Sequence, residues 1–152
     1  MQSWDRRWIG ATSEVGMSSE IKVYKIRDFI RQNEKGDVDL DRSMRIVREL
    51  AAAASLHPQH NILIDMRDTT IVGDINMGYV FQVALEIARF APVLKGKIAN
   101  VVPDDEKRLS IARSLRAAMD VQGFTYEIFT DFEVAINWLS EVTQLKKSDP
   151  LK

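Results

Sequence analysis

The run Asn61-Ile-Leu-Ile-Asp-Met-Arg-Asp-Thr-Thr70 constrains this chain most. Apolar side chains on the consecutive positions Ile62, Leu63 and Ile64 point to both sides of an extended backbone. A strand of that kind needs cover on both faces, as a central strand of a parallel sheet has. It stops on Asp65 and opens into a polar stretch, Arg67 to Gly73. In open α/β sheets, function gathers at the carboxyl ends of such strands.

The rest of the chain repeats the strand-then-helix alternation. Ile21 to Arg31 carries apolar residues of both parities, as one bulged strand or two strands would. Glu34-Lys-Gly-Asp37 reads as a turn. Asp39 or Asp41 is placed to cap a helix whose stripe is Leu40, Met44, Val47, Leu50, Ala51 and Ala54, and Pro58 ends it. Asp74 is the expected N-cap of a helix running to Ala91. Lys97–Val102 is a strand, and Pro103-Asp-Asp-Glu106 opens a helix with acidic groups at its positive end. Leu109, Ala112, Leu115 and Met119 are its buried face, and Gly123 is its stop. Thr125–Phe129 alternates as a strand, and Thr130-Asp-Phe-Glu133 reads as a capping box. Phe132, Ala135, Ile136, Leu139 and Val142 form the last inward stripe. With right-handed crossovers the expected fold is single-domain α/β. It is a mixed, mostly parallel sheet of about four to five strands with helices packed on it and an antiparallel N-terminal edge.

Length and charge narrow the function classes. At 152 residues one domain is expected. Residues 1–19 read as a disordered extension, residues 20–143 as the folded body, and residues 144–152 as a polar tail. Met17-Ser-Ser-Glu20 resembles a start, although Trp4 and Trp8 could dock. The 21 basic and 22 acidic residues nearly cancel, which disfavours nucleic-acid binding; the arginines Arg108, Arg113 and Arg116 with Lys107 read as a solvated helix face. No apolar run approaches the roughly 20 residues of a membrane helix, and the N-terminus lacks a signal-peptide core. Without cysteine there is no disulfide or thiolate site, in keeping with a reducing cytoplasm. His57 and His60 lack a third ligand at metal-binding spacing. No phosphate cradle or nucleophile elbow is present, so neither metal, cofactor nor catalytic residue is expected.

The chain from about Ile21 to Glu141 resembles the SpoIIAA-like group of the STAS fold, the fold of anti-sigma-factor antagonists. Phe129-Thr-Asp-Phe-Glu-Val-Ala-Ile-Asn-Trp-Leu139 is similar to the closing pattern of that group, and Ile62-Leu-Ile-Asp-Met-Arg67 to its central strand ending in Asp-x-Arg. The resemblance implies a bacterial, cytoplasmic, non-enzymatic regulatory domain that works by protein–protein interaction. In the antagonists, a serine or threonine after the central strand is phosphorylated and switches partner binding. The Asp-Ser-x-Gly arrangement is absent here; Thr69 and Thr70 stand nearest to it.

Two site readings follow. Asp65, Arg67, Asp68, Thr69, Thr70, Asp74 and Tyr79 would form a surface for a protein partner or a homodimer, with Thr69 and Thr70 as candidate phosphorylation positions. The bland alternative is a satisfied loop: Asp65 bonding nearby amides, Arg67 pairing with Asp68, and Asp74 capping. The second reading starts from the helix after Gly73. It is apolar almost all round, with only Gln82, Glu86 and Arg89 as a polar seam, and such a helix needs cover. A neighbour, a dimer partner, or an apolar small molecule or lipid beneath it would each supply that cover. An enzyme using Asp65 or Asp68 as acid or base is the third possibility.

Overall fold

The computed structural model describes residues 28–140. The expected extension and tail, with Trp4 and Trp8, lie outside the described residues, as do Ile21 to Arg27 at the start of the expected first strand.

Four strands alternate with four helices: β1 (Phe29–Val38), α1 (Leu40–Leu56), β2 (Asn61–Ile71), α2 (Met77–Arg89), β3 (Ile98–Val101), α3 (Glu106–Val121), β4 (Tyr126–Phe129) and α4 (Phe132–Ser140). The strands lie in the order β1-β2-β3-β4, and every pairing is parallel. Successive strands are thus spatial neighbours, joined each time by a helix. Right-handed crossovers in an order that never reverses deliver all connecting helices to one face. The core clusters agree. Side chains of α1, α2 and α3 pack with Ile62 and Ile98, while Ala135 and Leu139 of α4 pack with Leu63, Ala99 and Val101 on the other face. Ile62, Leu63 and Ile64 therefore serve both faces, as their consecutive pattern requires.

The antiparallel edge is not seen among the described residues. Glu34-Lys-Gly-Asp37, expected as a turn, sits instead inside β1. Lys35 to Val38 pair in parallel with Asp68 to Ile71, so the expected polar loop is the outer half of β2. The register shifts here: Asn33 faces Asp65 and Lys35 faces Asp68, so β2 carries one more residue than β1 across the shift. That is a β-bulge, and the extra residue reverses which face the following side chains meet.

Aspartate and asparagine start every helix. Asp39, Asn76, Asp105 and Asp131 accept the amide hydrogens of Arg42, Tyr79, Arg108 and Val134. Two expected caps are corrected. Asn76 replaces Asp74, because α2 begins later than its apolar pattern implies, and Asp131 replaces Thr130. After α3 the chain closes as a Schellman turn: Gly123 takes φ +89°, and the Phe124 amide donates to the Met119 carbonyl.

Candidate functional site

Between the sheet and the three-helix layer lies a half-enclosed cavity of about 110 Å³. Its apolar wall comes from Ile46, Val47 and Leu50 of α1, Val83 and Ile87 of α2, Ile111, Ala112 and Leu115 of α3, and Ile62, Ile64 and Ile98 of the sheet. Five polar side chains also line it: Ser43, Tyr79, Asn100, Arg108 and Tyr126.

Each of the five has a definite hydrogen-bond state. Ser43 Oγ lies 3.0 Å from the Asp39 carbonyl and 2.6 Å from Tyr79 Oη. Ser43 has one hydroxyl hydrogen; given to Asp39, it leaves Tyr79 donating to Ser43, and both groups are satisfied. Burial raises the Tyr79 phenol above its usual range, against the opposing effect of the Ser43 bond. Asn100 Nδ2 donates to Tyr126 Oη at 2.8 Å. Burial drives that phenol far upward, so Tyr126 is neutral.

The Asn100 amide is left half-used. Its Oδ1 is buried and has no hydrogen-bond partner, and the Tyr126 hydroxyl hydrogen has no acceptor among the described residues. Exchanging the two ends of the amide would let Tyr126 donate, but would strand the amide NH₂ instead. Either way one end of the amide in the cavity wall has no partner among the described residues.

Among the described residues, Arg108 is the one charged residue in this lining. It donates through Nη1 to the Thr69 carbonyl at 2.7 Å and through Nη2 to Thr69 Oγ1 at 2.9 Å. Among the described residues no carboxylate lies within ion-pair distance of it. Asp105 acts on it only through its field, since that carboxylate caps α3 through the Arg108 amide. Burial pulls the guanidinium below its usual range.

The seven expected surface residues do not form one patch. Asp65 and Arg67 come together on the α4 face. Arg67 Nε and Nη2 reach Asp65 Oδ1 and Oδ2 at 2.9 and 2.7 Å, and the Arg67 amide adds a bond at 3.2 Å. Arg67 thus pairs with Asp65 rather than with Asp68, because alternation along the strand puts residues two apart on one side. Arg31 approaches Asp65 at 3.6 Å, and both guanidiniums stack over Phe132 of α4, 4.5 and 5.4 Å from its ring centre. The Arg67 hydrogen bonds hold the Asp65 carboxyl below its usual range despite burial. A carboxylate held this way ties three elements together and is not poised to accept a proton.

Past the bulge the chain turns inward. Thr69 is buried, and its hydroxyl donates to the Met66 carbonyl at 2.7 Å while accepting from Arg108. Tyr79 is buried in the cavity wall and is not a surface group. Asp68, Thr70 and Asp74 are exposed. His57 and His60 meet in a tilted arrangement, with ring centres 5.1 Å apart and ring planes at 54°. Among the described residues no group of three or more histidine or acidic side chains is placed to hold a metal.

Two corrections concern helices. Arg108 does not belong to the solvated face of α3. It precedes Ala112 by one turn and so shares that helix's inner side. Glu86 is buried rather than part of an outward seam. It pairs with Arg48 of α1 at 2.9 Å and with Arg89 at 3.1 Å, which crosslinks α1 and α2. In its place Met77, Phe81 and Leu85 face outward at 65, 62 and 55 % exposure, one turn apart along α2.

Comparison with protein-family models, curated proteins and solved structures finds no match for the chain.

Proposed function

We propose that this protein binds a small, largely apolar molecule in the cavity between its sheet and the α1–α2–α3 layer. One observation carries this reading: the Asn100 amide oxygen, which has no partner among the described residues, set in a wall that is mostly aliphatic. Apolar pockets with a few convergent polar groups are the usual form of small-molecule sites. A hydroxyl on the ligand would donate to Asn100 Oδ1 and accept from Tyr126 Oη, satisfying both residues at once. At about 110 Å³ the space is smaller than a closed cavity of roughly 150 Å³ that holds benzene, and its open side lets a short chain extend outward. Among the described residues the lining carries one charged side chain, Arg108, and no carboxylate.

Hexanol is a suitable first probe. Titrated into isotope-labelled protein, it is expected to give saturable shifts at the methyl groups of Ile62, Val83 and Ile98 and at the Asn100 side-chain amide. If those signals stay unmoved up to the solubility limit, ligand binding in this cavity is wrong.

A second reading is favoured by the exposed row Met77, Phe81 and Leu85. Under it the chain is a cytoplasmic regulatory domain of the STAS-like type, with that row as its contact with a protein partner or a second copy. Apolar side chains aligned on one helix face are a common form of such contacts. Sedimentation across a wide concentration range tests the homodimer: self-association that Phe81→Glu abolishes would support it, and a monomer throughout would leave it without its simplest partner.

A further inference from the structure

We infer that the ligand of this cavity is a monocarboxylic acid with a short aliphatic or aromatic body, and that Arg108 holds its carboxylate. This inference rests on the cavity-binding reading above and adds the charge of the ligand to it.

Arg108 is held by Thr69. Its two bonds to Thr69 fix the plane of the guanidinium. They use one hydrogen on each terminal nitrogen and leave Nε–H and the second hydrogen of each Nη. Of these, Nε–H and the adjacent terminal N–H form the side-on fork that matches a carboxylate bidentately. The side chain is partly buried and lines an aliphatic wall, and the acceptors it has are neutral oxygens. A cation brought out of water this far is normally paired. The buried Glu86 shows the contrast within this protein, since it has two arginine partners.

Thr69 is itself fixed. Its hydroxyl hydrogen goes to the Met66 carbonyl, so its lone pairs are free for Arg108. The bulge in β2 puts Thr69 on the cavity side, where α3 can reach it. Arg108 is therefore pre-set before any ligand arrives, which lowers the ordering cost of binding.

One guanidinium neutralises one negative charge, which favours a monoanion over a phosphate dianion. The other polar groups, Ser43, Tyr79, Asn100 and Tyr126, are neutral and suit a hydroxyl or carbonyl further along the molecule. All four line the same cavity as Arg108, which places the charged and neutral polar groups around one space. A purely structural Arg108 would strap the end of β2 to α3 and show no preference among ligands, and this difference is what the experiment reads.

The full chain is titrated at neutral pH with hexanoate, methyl hexanoate and hexanol, followed by calorimetry and by the Arg108 Nε–H resonance. Hexanoate is expected to bind about tenfold tighter than either neutral probe, as a charge-assisted fork should. Only hexanoate is expected to shift the Arg108 Nε–H signal. Arg108→Gln is expected to bring the three probes to within about twofold of one another. Equal affinities in the native protein, or a hexanoate preference that survives in Arg108→Gln, would overturn the inference and leave cavity binding standing. If none of the probes binds, both fall. Should Arg108→Gln not fold, the native-protein comparison and the Nε–H shift still decide the matter.

Discussion

At the residue scale, Glu86 and Asp65 show how this chain uses buried charge. Burial alone would raise the carboxyl of Glu86, but its bonds to Arg48 and Arg89 outweigh that and lower it below its ordinary 4.5. The hydrogen bonds from Arg67 lower Asp65 below 3.8. A carboxyl depressed in the folded state stabilises the fold above its unfolded pKa, and that contribution is lost as pH falls through the folded value. Acid unfolding is therefore expected to begin below about pH 4, with these two groups among those that drive it. Glu86→Gln is expected to cost about 1 kcal/mol at neutral pH and less in acid, measured by urea unfolding at both. The figure is modest because Arg48 and Arg89 are both more than half exposed and regain water when the pair is broken.

At the element scale, the strand–helix order was legible in the sequence because each element states its own period and its own stop. Gly123 and the stripe of α1 are examples. Places where two signals competed were less legible. Glu34-Lys-Gly-Asp37 has the composition of a turn, yet parallel pairing with β2 keeps it extended. Asp74 and Asn76 are both good caps; the backbone chose Asn76, whose side chain reaches the Tyr79 amide at 3.0 Å. Asn76→Ala is expected to lower stability by about 1 kcal/mol, and Asp74→Ala to leave it nearly unchanged, in paired thermal melts. Of the site, Tyr79 and Thr69 were picked from the sequence, but for a surface that they do not form. Arg108, Asn100, Tyr126 and Ser43 were missed. A signal existed for two of them: Asn100 interrupts an apolar strand, and Arg108 falls on the same helical face as Ala112 and Leu115. What no spacing could supply was that these two, from different elements, line one cavity.

At the scale of the whole molecule, strand order explains where a site can be. Among the described residues the sheet runs β1-β2-β3-β4 without reversal, and these strands therefore form no switch point of the kind that opens a crevice at the carboxyl ends of strands in doubly wound sheets. The space that remains lies between layers, where three helices on one face meet the sheet. No helix among the described residues is long and apolar enough to cross a membrane. Filling the cavity separates packing from binding. Ala112→Leu is expected to occupy much of the 110 Å³, to alter stability by no more than about 1 kcal/mol, and to abolish hexanol binding. Thermal melting and the titration together check this, and a variant that still binds hexanol would place the site elsewhere.

The bulge in β2 sets a constraint on how this sequence can change. Its extra residue lets one strand give Arg67 to the α4 side and Thr69 to the cavity side. Removing a single residue there would not merely shorten a strand. It would turn Thr69 to the wrong side of the sheet and strand Arg108, severing the link between the strand end and the cavity wall. Point substitutions along this stretch leave that phase intact, whereas an uncompensated deletion of one codon resets it. Length in this segment is therefore a more stringent inheritance than the identity of the exposed residues it carries.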